Sequence, residues 1–123
     1  MSEFLTARPN LEVADLQPTV SHLVDVFGFD IEVHDEEMGL ALLRRDAVAL
    51  AVVRTPRPAV NETTAVYVGV SQVDALHATS VGRGAKVVGP LEEHPWGLRD
   101  FVAEIPGGHR LAFGARTGTG GPT

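Results

Sequence analysis

A chain of 123 residues, 44% hydrophobic and 21% charged, holds material for one domain and little beyond it. Its formal charge of -6 argues against a broad nucleic-acid face, which needs a clustered positive field. The absence of cysteine excludes disulfide stapling, cysteine nucleophiles, thiolate zinc sites and ordinary iron–sulfur ligation. No run approaches the roughly 18 consecutive apolar residues of a membrane span, and MSEFLTARPN lacks the basic start and apolar run of a signal peptide. A soluble, cytoplasmic protein without membrane or nucleic-acid partners is the expectation.

Residues 1–7 form a short leading segment. Alternation from Arg8 to Val13 predicts a strand, after which Asp15 is expected to cap a helix that turns Leu16, Val20, Leu23, Val24 and Phe27 inward. Gly28 supplies the stop. Phe29–His34, Gly39–Arg44 and Ala47–Val53 follow as extended candidates, so a first module over about 8–53 reads β-α-β-β-β. The proline-bearing stretch RTPRPAVNETT, 54–64, reads as a linker.

The order then repeats over about 65–114. Ala65–Val70 is extended, and a helix carrying Val73, Leu76, His77 and Val81 inward stops in VGRGAK. Ala85–Val88, Leu98–Ile105 and His109–Gly114 complete the second set of strands. Val13-Ala14-Asp15 matches Val70-Ser71-Gln72 at an offset of 57, as Phe27-Gly28-Phe29 matches Gly84-Ala85-Lys86. Either half alone would leave a sheet face unburied. Together they predict one α+β domain, two βαβββ modules that form a cupped mixed sheet with helices on its outer face. Residues 115–123, rich in glycine and threonine, read as a flexible tail, and their GTGG lacks the strand and helix a phosphate loop needs.

LEVADL at Leu11–Leu16, VFGF at Val26–Phe29, PWGLRDF at Pro95–Phe101 and PGGHRLAF at Pro106–Phe113, in this order over residues 8–114, resemble the vicinal oxygen chelate superfamily and its glyoxalase/bleomycin-resistance branch. The resemblance implies a single domain over 8–114, a cup often completed in a homodimer, and, in catalytic members, a metal held by inward histidines and glutamates at four strand positions. Those positions fall here at Arg8, near Leu50, at Ala65 and at Ala112. None supplies a metal donor, and Ala49 and Ala51 beside Leu50 do not either, so no metal and no other cofactor is expected.

Strand parity assigns Arg8, Asn10 and Glu12 to the concave side, together with Ala65, Tyr67 and Gly69 of the matching strand. Val48, Leu50 and Val52 are expected to form an apolar floor, with Arg110 and Ala112 across from it. Trp96, between Pro95 and Gly97, is expected at the rim, where its ring could stack on a ligand while Arg99 or Asp100 orients a polar group. The candidate ligand-binding residues are thus Glu12, Leu50, Tyr67, Trp96, Arg99, Asp100 and Arg110, with no catalytic residue assigned. The histidines form no HExxH motif; His94 and His109 are read as turn or surface hydrogen-bonding groups, and Glu92-Glu93 as a solvated edge.

The leading expectation is a metal-independent small-molecule-binding homodimer that sequesters a planar or peptide-like ligand such as an antibiotic, with binding preferred to enzymatic activity and the enzyme question left open. One alternative is a divergent metal-dependent lyase, isomerase or dioxygenase with replacement ligands. The other is a non-catalytic interaction module in which the cup is collapsed and Trp96 lies in an interface.

Overall fold

Leu11 and Val13 are buried while Asn10 and Glu12 are not, which makes β1 (Asn10–Val13) a strand with one face under a helix. The computed structural model describes residues 1–61 and 63–117. In α1 (Leu16–Asp25) the buried set Leu16, Thr19, Val20 and Leu23 follows the i, i+3, i+4, i+7 spacing of one helix face. Pro18 lies in the first turn, where no backbone donor is needed. Asp15 takes the extended backbone of an N-cap, yet its carboxylate makes no capping bond, so it caps in position only. Gly28, at φ 70°, turns the chain out of the helix.

β2 (Asp30–Asp35), β3 (Leu40–Arg45) and β4 (Val48–Arg54) follow, and the sheet runs β1-β4-β3-β2 with β1 parallel to β4. The second module repeats this as β5 (Thr64–Gly69), α2 (Val73–Gly82), β6 (Lys86–Glu93), β7 (Leu98–Glu104) and β8 (Arg110–Arg116), ordered β5-β8-β7-β6. The two βαβββ modules are present, as two four-stranded mixed sheets. β8 takes in Ala115 and Arg116, which composition had grouped with the tail. Residues 118–123 of that tail and Glu62 of the linker lie outside the described residues. Among the described residues no helix is long and apolar enough to cross a membrane.

Register corrects one face. Leu11 pairs with Val52, and Leu43 pairs with Leu50, so Leu50 and Val52 lie on the helix-covered face with Ala41 and Leu43. Leu50 is 0% exposed and does not floor the cup. Ala49 and Ala51 point the other way. The run VALAVV is apolar at every position, so alternation carried no parity signal there. In α2 the buried set is Val73 and Ser80, with Leu76 and His77 packed nearby, whereas Val81 is exposed. Ser80 occupies the i+7 position of that face and returns its hydroxyl to the His77 carbonyl, while Val81 falls one residue past it. α2 ends in the paired backbone bonds of a Schellman motif around Gly84.

Both modules bury their helix-side faces in one core. Phe27, just after α1, stacks on Phe113 of β8 at 4.9 Å, and Phe113 stacks on Phe101 of β7 at 5.4 Å. Two polar bonds close one end of the seam: Thr19 Oγ1 donates to the Pro106 carbonyl at 2.7 Å, and His109 Nε2 donates to the Glu12 carbonyl at 2.6 Å. His109 is thereby a buried seam residue and not a surface group.

Gly107 sits at the tightest point of this closure. It has φ 101°, and a Cβ there would lie 2.8 Å from Val13 Cγ1. Gly107→Ala is expected to lower unfolding free energy by about 2 kcal/mol or more, from left-handed strain and overpacking together. Gly82→Ala, where a Cβ meets nothing within 4 Å, is expected to be neutral or stabilising. Urea denaturation of both variants checks the contrast.

Candidate functional site

Each sheet has an open face opposite the shared core, and the two faces carry different chemistry. On the first, Ala49 and Ala51 form a small-residue floor beside Arg8. The Arg8 guanidinium donates to the carbonyls of Leu43 and Leu50 at 3.3 and 3.1 Å and to Glu32 Oε1 at 2.7 Å. Arg44 holds the other Glu32 oxygen at 3.2 Å. The bond from Arg8 is the main reason the Glu32 carboxyl is held below the usual carboxylate range. This face is therefore an ion-paired surface, with an arginine where a metal-binding cup would need a donor atom.

The second open face is built around Asp100. Register pairs Tyr67 with Ala112, Ala112 with Val102 and Gly114 with Asp100, so Tyr67, Ala112, Gly114 and Asp100 share one face. The Tyr67 hydroxyl donates to Asp100 Oδ2 at 3.0 Å, and His94 Nε2 meets Asp100 Oδ1 at 2.8 Å. With the carboxylate as acceptor on both sides, His94 carries its proton on Nε2. Trp96 lies flat on the His94 ring, 4.4 Å between centroids and 4° from parallel, and is 65% exposed. The order across the face is indole, imidazole, carboxylate, phenol.

Local chain geometry explains the assembly. The β6–β7 turn closes through His94 N–H to the Leu98 carbonyl and Gly97 N–H to the His94 carbonyl, with Gly97 at φ 90°. His94 is two residues beyond Glu92, the partner of Asp100, and so returns to the Asp100 side of the hairpin. Gly114 makes room from below, since any Cβ there would overlap the Tyr67 hydroxyl. The removal of water around that hydroxyl, then its bond to Asp100 and the carboxylate charge, push the Tyr67 phenol up to about 12.

Of the seven residues singled out from sequence, the fold brings together Tyr67, Trp96 and Asp100. Leu50 is in the core. Arg99 is on the opposite side of β7 from Asp100, where it donates to Asp74 of α2 at 2.9 Å; adjacent strand residues do not share a face, so the pair could not both line the cup. Glu12 Oε1 accepts the Ala59 N–H at 2.9 Å and ties the linker to β1. Arg110 lies further along β8, 3.8 Å from Glu104. His94 and Gly114 are the members that sequence reasoning missed. Parity carried through the β6–β7 hairpin would have found His94, but the space under Tyr67 has no sequence signal.

The arrangement suits binding. One indole face is taken by His94, leaving the rest of the ring and the half-exposed Tyr67 ring to a planar partner. Among the described residues no serine or threonine hydroxyl bonds to His94. Nor do three or more His, Cys, Asp or Glu side chains converge on a point that could hold a metal ion. The described residues therefore do not fit the four-ligand metal site that the sequence resemblance implies for catalytic members.

The model of the Glyoxalase/Bleomycin resistance protein/Dioxygenase superfamily matches residues 7–113. TioX from Micromonospora sp. ML1 is 30% identical, with 92% of this chain and 99% of that one covered at a TM-score of 0.78. The bleomycin-binding protein of bleomycin-producing Streptomyces verticillus, solved with copper(II)-bleomycin, is 26% identical over 96% and 99% of the two chains, with a TM-score of 0.70. TnmS3, an antibiotic binding protein from Streptomyces sp. CB03234, shares the fold at 19% identity and a TM-score of 0.79, covering 95% of this chain and 99% of its own. Among curated proteins none matches the sequence.

Tyr67 is the chain's one tyrosine, so alkaline absorbance titration reads it alone. The midpoint is expected at about 12, and Asp100→Asn is expected to bring it down by removing both the anionic acceptor and its charge. An unchanged midpoint in Asp100→Asn would show that the Tyr67–Asp100 bond is not formed in solution.

Proposed function

The chain belongs to the glyoxalase/bleomycin resistance protein/dioxygenase superfamily, and from that premise we propose that it is a metal-independent binding protein that sequesters a planar or peptide-like antibiotic. The observation that carries this reading is the Trp96–His94–Asp100–Tyr67 cluster, an exposed aromatic platform stiffened from behind by one partly buried carboxylate. Asp100 fixes the tilt of both flanking rings before a ligand arrives, which lowers the ordering cost of binding. Sequestration needs affinity alone, and the cluster supplies stacking area with few polar contacts. The copper(II)-bleomycin held by the Streptomyces verticillus protein, and the description of TnmS3 as an antibiotic binding protein, support the ligand class.

The geometry also favours a homodimer. The open faces lie on opposite sides of the shared core from each other's sheet, so one chain does not close both over a single ligand. A second copy would set its ion-paired Arg8–Glu32 face opposite the aromatic face and complete the cup. Trp96 and Tyr67, 65% and 47% exposed in the single chain, support an accessible platform over a collapsed cup.

Trp96 is the only tryptophan and so reports on the platform directly. Titration with bleomycin and a panel of planar and peptide antibiotics is expected to give saturable quenching, insensitive to chelator. By calorimetry, Trp96→Ala is expected to weaken the same ligand by about ten-fold or more, in line with about 1–3 kcal/mol for loss of a stacking contact. Absence of saturable binding across the panel, with sedimentation showing an intact dimer, would sink the proposal; stoichiometric metal with chelator-sensitive turnover would replace it with the enzymatic reading.

A further inference from the structure

The two ends of the module seam are built to different lengths. α1 and α2 begin 57 residues apart, at 16 and 73, but β4 and β8 begin 62 apart, at 48 and 110. Much of the difference lies in the last hairpins. The β3–β4 turn is the two residues Asp46 and Ala47, with Asp46 left-handed at φ 51°, whereas the β7–β8 turn is the five residues 105–109. The longer turn drops onto α1, where Pro106, Gly107 and His109 seal that end against Thr19, Val13 and Glu12. The shorter turn stops before it reaches α2. A cavity of about 420 Å³ remains there, within the range of sites for small organic ligands.

Its lining is amphipathic. Phe27, Phe113 and Val68, all buried, supply the apolar back wall, and Ala75 of α2 stands at the opening. Two guanidiniums flank it. Arg45 is fixed by its bond to the Phe27 carbonyl at 2.7 Å, and Arg83, just past α2, has no side-chain partner among the described residues. The single acid in the lining, Asp46, is largely exposed and 4.0 Å from Arg45. In a chain of net charge -6 this is a local cationic rim on an aromatic pocket. We propose that the seam cavity is a second ligand site, for a small aromatic anion whose ring system enters against Phe27 and Phe113 while a carboxylate or sulfonate meets Arg83 and Arg45. It lies on the helix side of the sheets, separate from the Trp96 platform, and is independent of the function proposed for that platform.

The probe is 8-anilinonaphthalene-1-sulfonate, with N-phenyl-1-naphthylamine as its uncharged counterpart. The sulfonate is expected to bind saturably at one site per chain with enhanced emission. Ala75→Trp, which puts a ring into the opening from an exposed helix position, is expected to abolish that binding, and Arg83→Glu to weaken it by about ten-fold, the size of one modest charge contact. The uncharged amine is expected to bind more weakly than the sulfonate and to ignore Arg83→Glu. Trp96→Ala is expected to leave the sulfonate unaffected. No saturable binding to the native protein, binding that survives Ala75→Trp, loss in Trp96→Ala, or equal affinity for the uncharged amine would each overturn the assignment.

Discussion

The stack of Phe27 on Phe113, and of Phe113 on Phe101, decides most of what this molecule can present to solvent. It commits the helix-side face of both sheets to one core. Each large buried side chain contributes roughly 1.5–3 kcal/mol on burial, so neither module has an incentive to turn that face outward. The opposite faces are left open by default. On those open faces the side chains offered to a partner are of the other parity, and these are where the two modules diverge: ion pairs over alanines on one, an aromatic row on the other.

Asp100 is to the second open face what the phenylalanine stack is to the core. Its two oxygens are both occupied, by a phenol and by an imidazole, in a setting where the side chain is only 16% exposed. A carboxylate so engaged holds two rings that strand geometry alone would leave free to rotate. The face is consequently rigid in its middle and exposed at its indole end.

Much of this was legible in the residues. The order of elements, the two modules and the burial of Leu11 and Val13 follow from alternation that has a polar member in every pair. The orientation of Tyr67 follows from its alternation with Val66, Val68 and Val70. Legibility failed where that contrast vanished. Leu50 sits in a strand apolar on both faces, and its direction is set by pairing with Leu43, which no local pattern records. Arg99 was grouped with Asp100 by proximity in sequence, against the rule that neighbours in a strand diverge. Ser80 was passed over for Val81 because helix position, and not hydrophobicity, decided which one faced in. The seam cavity depends on the difference between a two-residue and a five-residue turn, visible in the sequence only once the strand ends are fixed.

Gly114 and Tyr67 occupy one space between them. A side chain at position 114 and the Tyr67 phenol in its present place exclude one another, so a residue larger than glycine there requires either a smaller side chain at position 67 or a phenol displaced from Asp100. Keeping the phenol on Asp100 therefore ties position 114 to glycine, a dependence carried by an absent side chain and by no polar contact.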